Sequence, residues 1–196
     1  MTSSSAASRE RQTPAAAPPH AMPAWVYNHA EMTRLELERI LLPSWQILGH
    51  VSSLKQPGDY LTLDIGPESV FAVRDRDGEI RAFHNVCRHR GARLLDGAGS
   101  CPSTITCPYH GWSYRHDGAL LGMPARDSFP GLDRTQHGLR PVRVDTAFGF
   151  VFVALSGNPP PVATMWGPIA DEFAPYRFED MVPLTPISCE PWDVDW

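Results

Sequence analysis

Residues 87 to 112 read CRHRGARLLDGAGSCPSTITCPYHGW, and two cysteine–histidine pairs sit in them as C-x-H-x17-C-x2-H. No other feature constrains the fold as much. Two short loops must lie side by side, each presenting one thiolate and one imidazole. In an extended or tightly turned segment residues i and i+2 point the same way, so Cys87 and His89 can reach a common centre from the first loop. Cys107 and His110 can do so from the second. A thiolate is short and an imidazole long, so each loop sets its sulfur deeper and its ring nitrogen farther out.

The flanking sequence reads as the β scaffold such loops need. From Trp45 onward come short runs separated by turn signals: WQILGHV, QPGD, DYLTLDI, SVFAVRD, Asp77-Gly78, and EIRAFHNV, in which Ile80, Ala82, His84 and Val86 alternate. Asp117-Gly118 marks a hairpin between WSYRH and ALLGM. The apolar run Ala147 to Leu155 reads as one buried central strand that closes the sheet. An antiparallel all-β sandwich or barrel is therefore expected over residues 45–155.

One helix is expected within residues 25–44, where Asn28 and Glu31 resemble a cap and AEMTRLELERILL is rich in helix formers until Pro43. Residues 1–24, mostly Ala, Ser and Pro, offer too little apolar surface to offset ordering entropy and are expected to be a disordered lead. Past Leu155, Pro159 to Pro161 read as a stiff connector leading away from the β domain. The last eight residues alternate Trp192, Val194 and Trp196 against acidic neighbours.

Seventeen basic side chains against 22 acidic ones give a net charge of −5, which argues against nucleic acid or an anionic membrane as partner. No run approaches the roughly 18 apolar residues of a membrane helix. No signal-peptide core or twin Arg is seen, so a cytoplasmic location is expected. Four cysteines are too few for a disulfide scaffold.

Two juxtaposed loops of this kind supply two inner thiolates and two outer imidazoles. That donor set suits two sulfide-bridged irons, one held by Cys87 and Cys107 and the other by His89 and His110. A mononuclear zinc site in a structural module is the alternative, although zinc motifs more often pair like with like. CRHRGA and CPYHGW, with the preceding helix, Pro57-Gly58-Asp59-Tyr60, Asn85 and GFVFVAL, resemble the Rieske domain of aromatic ring-hydroxylating (Rieske non-haem iron) oxygenases over about residues 25 to 196.

The resemblance implies a mainly β, Rieske-type antiparallel sandwich or barrel with two cluster-binding loops. It implies a [2Fe–2S] cluster on Cys87, His89, Cys107 and His110, with Gly91, Gly111, Trp112, Tyr114 and Arg90 around it. Respiratory-chain Rieske proteins resemble CTHLGC and CPCHGS, whereas Ala92, Tyr109 and Trp112 stand here. The lost disulfide and hydroxyl imply a potential toward the low end of the Rieske range. Tyr114 remains a possible donor to a cysteine sulfur, and Arg88, Arg90 and Arg93 are available to offset charge or meet an acidic partner. The outer imidazoles are expected to expose their far nitrogens at the loop tips. Cys101 and Cys189 are expected to be bystanders, and His20, His29, His50, His84, His116 and His137 lack ligand spacing.

In that family the cluster serves a mononuclear Fe(II) held by two His and one carboxylate in a C-terminal domain. WDVDW at residues 192–196 resembles the approach to that segment, and no histidine follows His137. The expectation is therefore an α-subunit Rieske portion, with residues 156–196 a connector and truncated start of the catalytic domain, whose 196 residues alone hydroxylate nothing. Expected partners are a ferredoxin, an NAD(P)H-dependent flavin reductase, or both, and a homotrimer for the intact subunit. A stand-alone Rieske-type ferredoxin is the alternative.

Overall fold

Strand β3 shows how this chain is built. In a computed structural model that describes residues 22–185, β3 (Glu68–Arg74) buries Val70, Phe71, Ala72 and Val73 completely. Side chains alternate across a strand, so burial of four in succession means that both faces are covered. Phe71 and Val73 join a core with Phe83, Leu94, Ile105, Trp112, Tyr114 and the two loop cysteines. Val70 and Ala72 join a second core with Leu48, Leu54, Leu61, Ala82, Val142, Val151 and Val153. The sheet is thus a partition between two cores, and one of them reaches the two cysteine–histidine loops.

In chain order the strands are β1 (Gln46–His50), β2 (Asp59–Ile65), β3, β4 (Ile80–His84), β5 (Ala98–Ser100), β6 (Ile105–Thr106), β7 (Ser113–Tyr114), β8 (Leu120–Gly122), β9 (Pro141–Ala147) and β10 (Phe150–Ala154). Seven form one antiparallel sheet in the order β1-β10-β9-β4-β3-β2-β5, and β6-β7-β8 form a small second sheet. The large sheet curls into a half-barrel whose ends approach without hydrogen-bonding: a methyl on Gly49 of β1 would lie 2.6 Å from Leu61 Cδ1 of β2. The mainly β, antiparallel reading holds.

The run Ala147 to Leu155 is not one strand. Ala147 ends β9, and Phe148 and Gly149, with φ of 52° and 78°, turn the chain into β10. The sequence hides this hairpin because Phe-Gly takes the place of the usual Asn-Gly signal. A methyl on Gly149 would meet His50 Nε2 at 2.6 Å, so closeness as well as φ requires glycine. β10 lies between β1 and β9, one strand in from the edge.

The single helix expected near the N-terminus is divided. α1 (Trp25–Asn28) and α2 (Ala30–Glu36) meet at an extended His29, whose Nδ1 accepts the Glu31 N–H at 3.2 Å. The cap is therefore His29, one residue later than Asn28. Residues Leu37–Leu41 follow as a π turn that lets Leu42 O accept from both Leu155 N and Ser156 N, a demand set by the sheet and absent from helix propensity. At the other end Trp45 Nε1 donates to Pro160 O, and Asp145 accepts from Val162 N. The chain turns back there, and α3 (Val162–Trp166) and α4 (Ala170–Phe173) lay an aromatic layer over the outer face of β10, with Trp166 against Phe148, Phe152 and Phe173. The lead through residue 21, Cys189 and the alternating Trp192, Val194 and Trp196 lie outside the described residues.

Candidate metal centre

The two loops have the same backbone. In the first, Cys87 N–H donates to Ala92 O (2.8 Å) and Gly91 N–H to Cys87 O (3.0 Å). In the second, Cys107 N–H donates to Trp112 O (2.7 Å) and Gly111 N–H to Cys107 O (3.0 Å). Gly91 and Gly111 carry φ of 73° and 71°, a left-handed conformation that costs any residue with a Cβ. Measured from its cysteine, the histidine stands at +2 in the first loop and +3 in the second, so identical turns aim their imidazoles from different steps.

Cys87 and Cys107 are 3% and 2% exposed, and both are free thiols. The His89 and His110 rings meet edge to face outside them, centroids 4.8 Å apart. Sulfur lies inside and nitrogen outside, as the side-chain lengths require. Among the described residues no three His, Cys, Asp or Glu side chains converge on a single point. A two-iron cluster needs no such point, since each iron takes one pair of ligands.

Their surroundings differ. His89 is half-buried, stacked on Trp112 (4.9 Å, 6° between planes) with Phe129 at its edge. His110 is exposed, its outer side covered only by Tyr109, itself 63% exposed. Both imidazoles lie at the loop tips, and His110 is the more open of the two. Burial, then His110 and Arg90, lowers the tendency of His89 to take a proton. Phe129 gave no local signal in the sequence, because it comes from a loop 19 residues past His110 and only the folded chain brings it near.

Tyr114, fully buried on β7, joins the loops chemically. Its hydroxyl accepts from Arg88 N–H at 3.0 Å and lies 3.3 Å from Cys87 Sγ. Burial holds the phenol protonated far above its ordinary range, so its own proton is free to be donated to the sulfur. Burial also pushes the Cys87 thiol up, against the pull of the Tyr114 hydroxyl and the His89 backbone amide.

Asn85 clamps the first loop: its Oδ1 accepts from Leu94 N and Leu95 N, and its Nδ2 donates to Leu95 O and Ser69 Oγ. Arg93 adds ion pairs to Asp64 and Asp96. Arg90 is exposed beside His89. Cys101 stays apart, its thiol bonded to Gly58 O and raised by burial to about 11. Of the other histidines, His50 ties Ser52 to Phe178 O, His84 faces Glu68, and His137 lies at the edge of Trp112.

Residues 44–140 match the family described as the Rieske [2Fe-2S] domain. The chain carries a Rieske [2Fe-2S] domain, and its relatives are subunits of Rieske oxygenases. It is 38% identical over 162 residues to the glycine betaine monooxygenase oxygenase subunit of Chromohalobacter salexigens, covering 83% of this chain and 36% of that one. It is also 38% identical over 143 residues to the chlorobenzene dioxygenase subunit alpha of a Cupriavidus species, covering 72% and 32%. The crystal structure of the apo form of a quaternary ammonium Rieske monooxygenase, CntA, superposes with a TM-score of 0.75 at 33% identity, covering 82% of this chain and 47% of that one. The chain spans about a third of the length of these curated relatives. No helix among the described residues is long and apolar enough to cross a membrane.

Proposed function

We propose that this Rieske domain holds one [2Fe–2S] cluster through Cys87, His89, Cys107 and His110 and relays single electrons within an oxygenase α subunit. The electrons come from a ferredoxin or an NAD(P)H-dependent flavin reductase and pass to a mononuclear iron carried outside the described residues. The observation that carries this reading is the pair of turns with one hydrogen-bond pattern, both thiols buried and both imidazoles outermost. When bound, such a cluster takes up and releases one electron at a potential tuned by hydrogen bonds and exposure.

The chain's own residues set that tuning. The Tyr114 hydroxyl donates to Cys87 Sγ and stabilises added negative charge there. Trp112 and Phe129 keep water from the His89 side, while His110 keeps an accessible edge. The subunit assembles as a cytoplasmic homotrimer in this reading. The family resemblance implies that assembly, and the relatives' names identify each as one subunit of a larger enzyme.

Protein reconstituted with iron and sulfide is expected to be red-brown. On reduction it should give the low-average-g paramagnetic signal of mixed Cys/His ligation. Stoichiometric zinc without iron after iron-replete expression would refute the reading. The 196-residue polypeptide with reductase, NADH and oxygen should convert neither aromatic acids nor quaternary amines, because after His137 it offers no histidine for a second iron. Product formed in step with NADH consumption and unaffected by catalase would overturn that part.

A further inference from the structure

A groove of about 490 Å³ opens beside the first loop, with Cys87 and Gly91 in its wall and Arg88 and Arg140 among its lining side chains. Glu68 and His84 close its far side, the imidazole Nδ1 3.7 Å from the carboxylate. The protein is acidic overall, and ion pairs or carbonyl oxygens engage most of its described arginines. Arg34, Arg81, Arg93, Arg115 and Arg177 are in ion pairs. Arg74, Arg76, Arg134 and Arg143 donate to carbonyl oxygens.

Arg88, Arg90 and Arg140 enter no ion pair among the described residues, and all three flank the first loop. Arg88 Nε is also buried with no hydrogen-bond partner. A buried guanidinium donor left unpaired costs about 1–3 kcal/mol, a cost that a charged acceptor arriving from outside removes. The adjacent Val86 is 43% exposed, so the rim combines apolar and cationic surface.

We propose that this groove docks the acidic face of an electron-carrier protein, with carboxylates of that partner meeting Arg88 and Arg140. The proposal rests on the electron-relay reading above and supplies its missing surface. Charge complementarity selects the partner: three unpaired arginines within one loop's reach make a local positive field on a protein of net charge −5. The groove sits on the Cys87 side, whereas the exposed His110 edge is left free for a different neighbour.

The test measures association of the reconstituted chain with an acidic, four-cysteine [2Fe–2S] ferredoxin at 20 and 500 mM salt, for wild type, Arg140→Glu, Arg140→Lys, Arg88→Gln and Arg39→Glu. Arg140 is exposed, so its variants fold; Arg39 is a distant arginine, without an ion pair, that matches the change in net charge. At low salt Arg140→Glu should slow association on the order of 10-fold and Arg88→Gln less. Arg140→Lys and Arg39→Glu should stay within about twofold of wild type, and all differences should vanish at high salt. Three results would overturn the proposal: no association by wild type, equal slowing by Arg39→Glu and Arg140→Glu, or abolition by inorganic phosphate at matched ionic strength. The last would make the groove a pocket for free anions. Cluster content is read separately from colour and from the dithionite-reduced signal. A colourless wild type would sink the relay reading, while association still decides the docking surface.

Discussion

The first and second ligand loops share a turn and differ in what holds it. The first loop is fixed by polar chemistry: Asn85 satisfies three backbone groups of Leu94 and Leu95, and Arg93 reaches Asp64 and Asp96. The second is fixed by an aromatic wedge, Trp112, 2% exposed and packed against His89 and Phe129. Equal backbones thus require no equal supports. The wedge of the second loop also shelters the imidazole of the first, which is why His89 is half-buried and His110 is not.

The largest expected effect treats the loops alike. Cys87→Ser and Cys107→Ser should each abolish the cluster, read as loss of visible absorbance and of bound iron, while Cys101→Ser keeps both. Retention of iron by either ligand variant would break the symmetry of the inner pair. Next, the supports should separate. Trp112→Ala is expected to cost about 3–5 kcal/mol in denaturant unfolding, as a buried aromatic does, and to expose His89. Asn85→Ala should cost about 3 kcal/mol, because its hydrogen-bonded backbone groups are left buried and unpaired. Equal solvent accessibility of the two imidazoles in wild type, read by modification with diethyl pyrocarbonate in the iron-free protein, would contradict the asymmetry outright.

Tyr114→Phe should cost about 1–3 kcal/mol through the orphaned Arg88 N–H. It should also shift the potential to more negative values by removing the donor to Cys87 Sγ. An unchanged potential would show that the hydroxyl serves only the backbone. The smallest effect sharpens the comparison again. Gly91→Ala and Gly111→Ala both incur the left-handed penalty of about 1–2 kcal/mol. Only at Gly111 does the added methyl crowd a neighbour, Pro124 Cγ at 3.1 Å, whereas nothing lies within 4 Å at Gly91. Gly111→Ala should therefore melt lower than Gly91→Ala, and the reverse order would place unseen crowding in the first loop.

Much of the scaffold was legible because its signals are local. DYLTLDI and SVFAVRD coincide with β2 and lie within one residue of β3, and Asp77-Gly78 and Asp117-Gly118 turn where their chemistry predicts. β9 and the split of Ala147 to Leu155 were missed because a Phe-Gly turn inside an apolar run carries no polar punctuation. The division of the N-terminal helix was missed for another reason. The extended His29 is a local cap at a histidine, and the π turn at residues 37–41 precedes Leu42, which bonds Leu155 and Ser156 more than a hundred residues away.

Ligand identity, order and spacing belong to the chain, as does the depth order of sulfur and nitrogen, because side-chain length and turn chemistry are local. Tyr114 as a donor to sulfur was readable as a candidate, although its second bond to Arg88 N–H was not. The exposure of each imidazole, the Asn85 clamp and the unpaired arginines around the groove arise only in the folded protein. Each depends on which residues distant in sequence come to lie against the loops: Phe129 beside His89, Leu94 and Leu95 across Asn85, Arg140 beside Arg88. Local rules place a side chain on its own turn; what it meets there is settled by packing of the whole sheet.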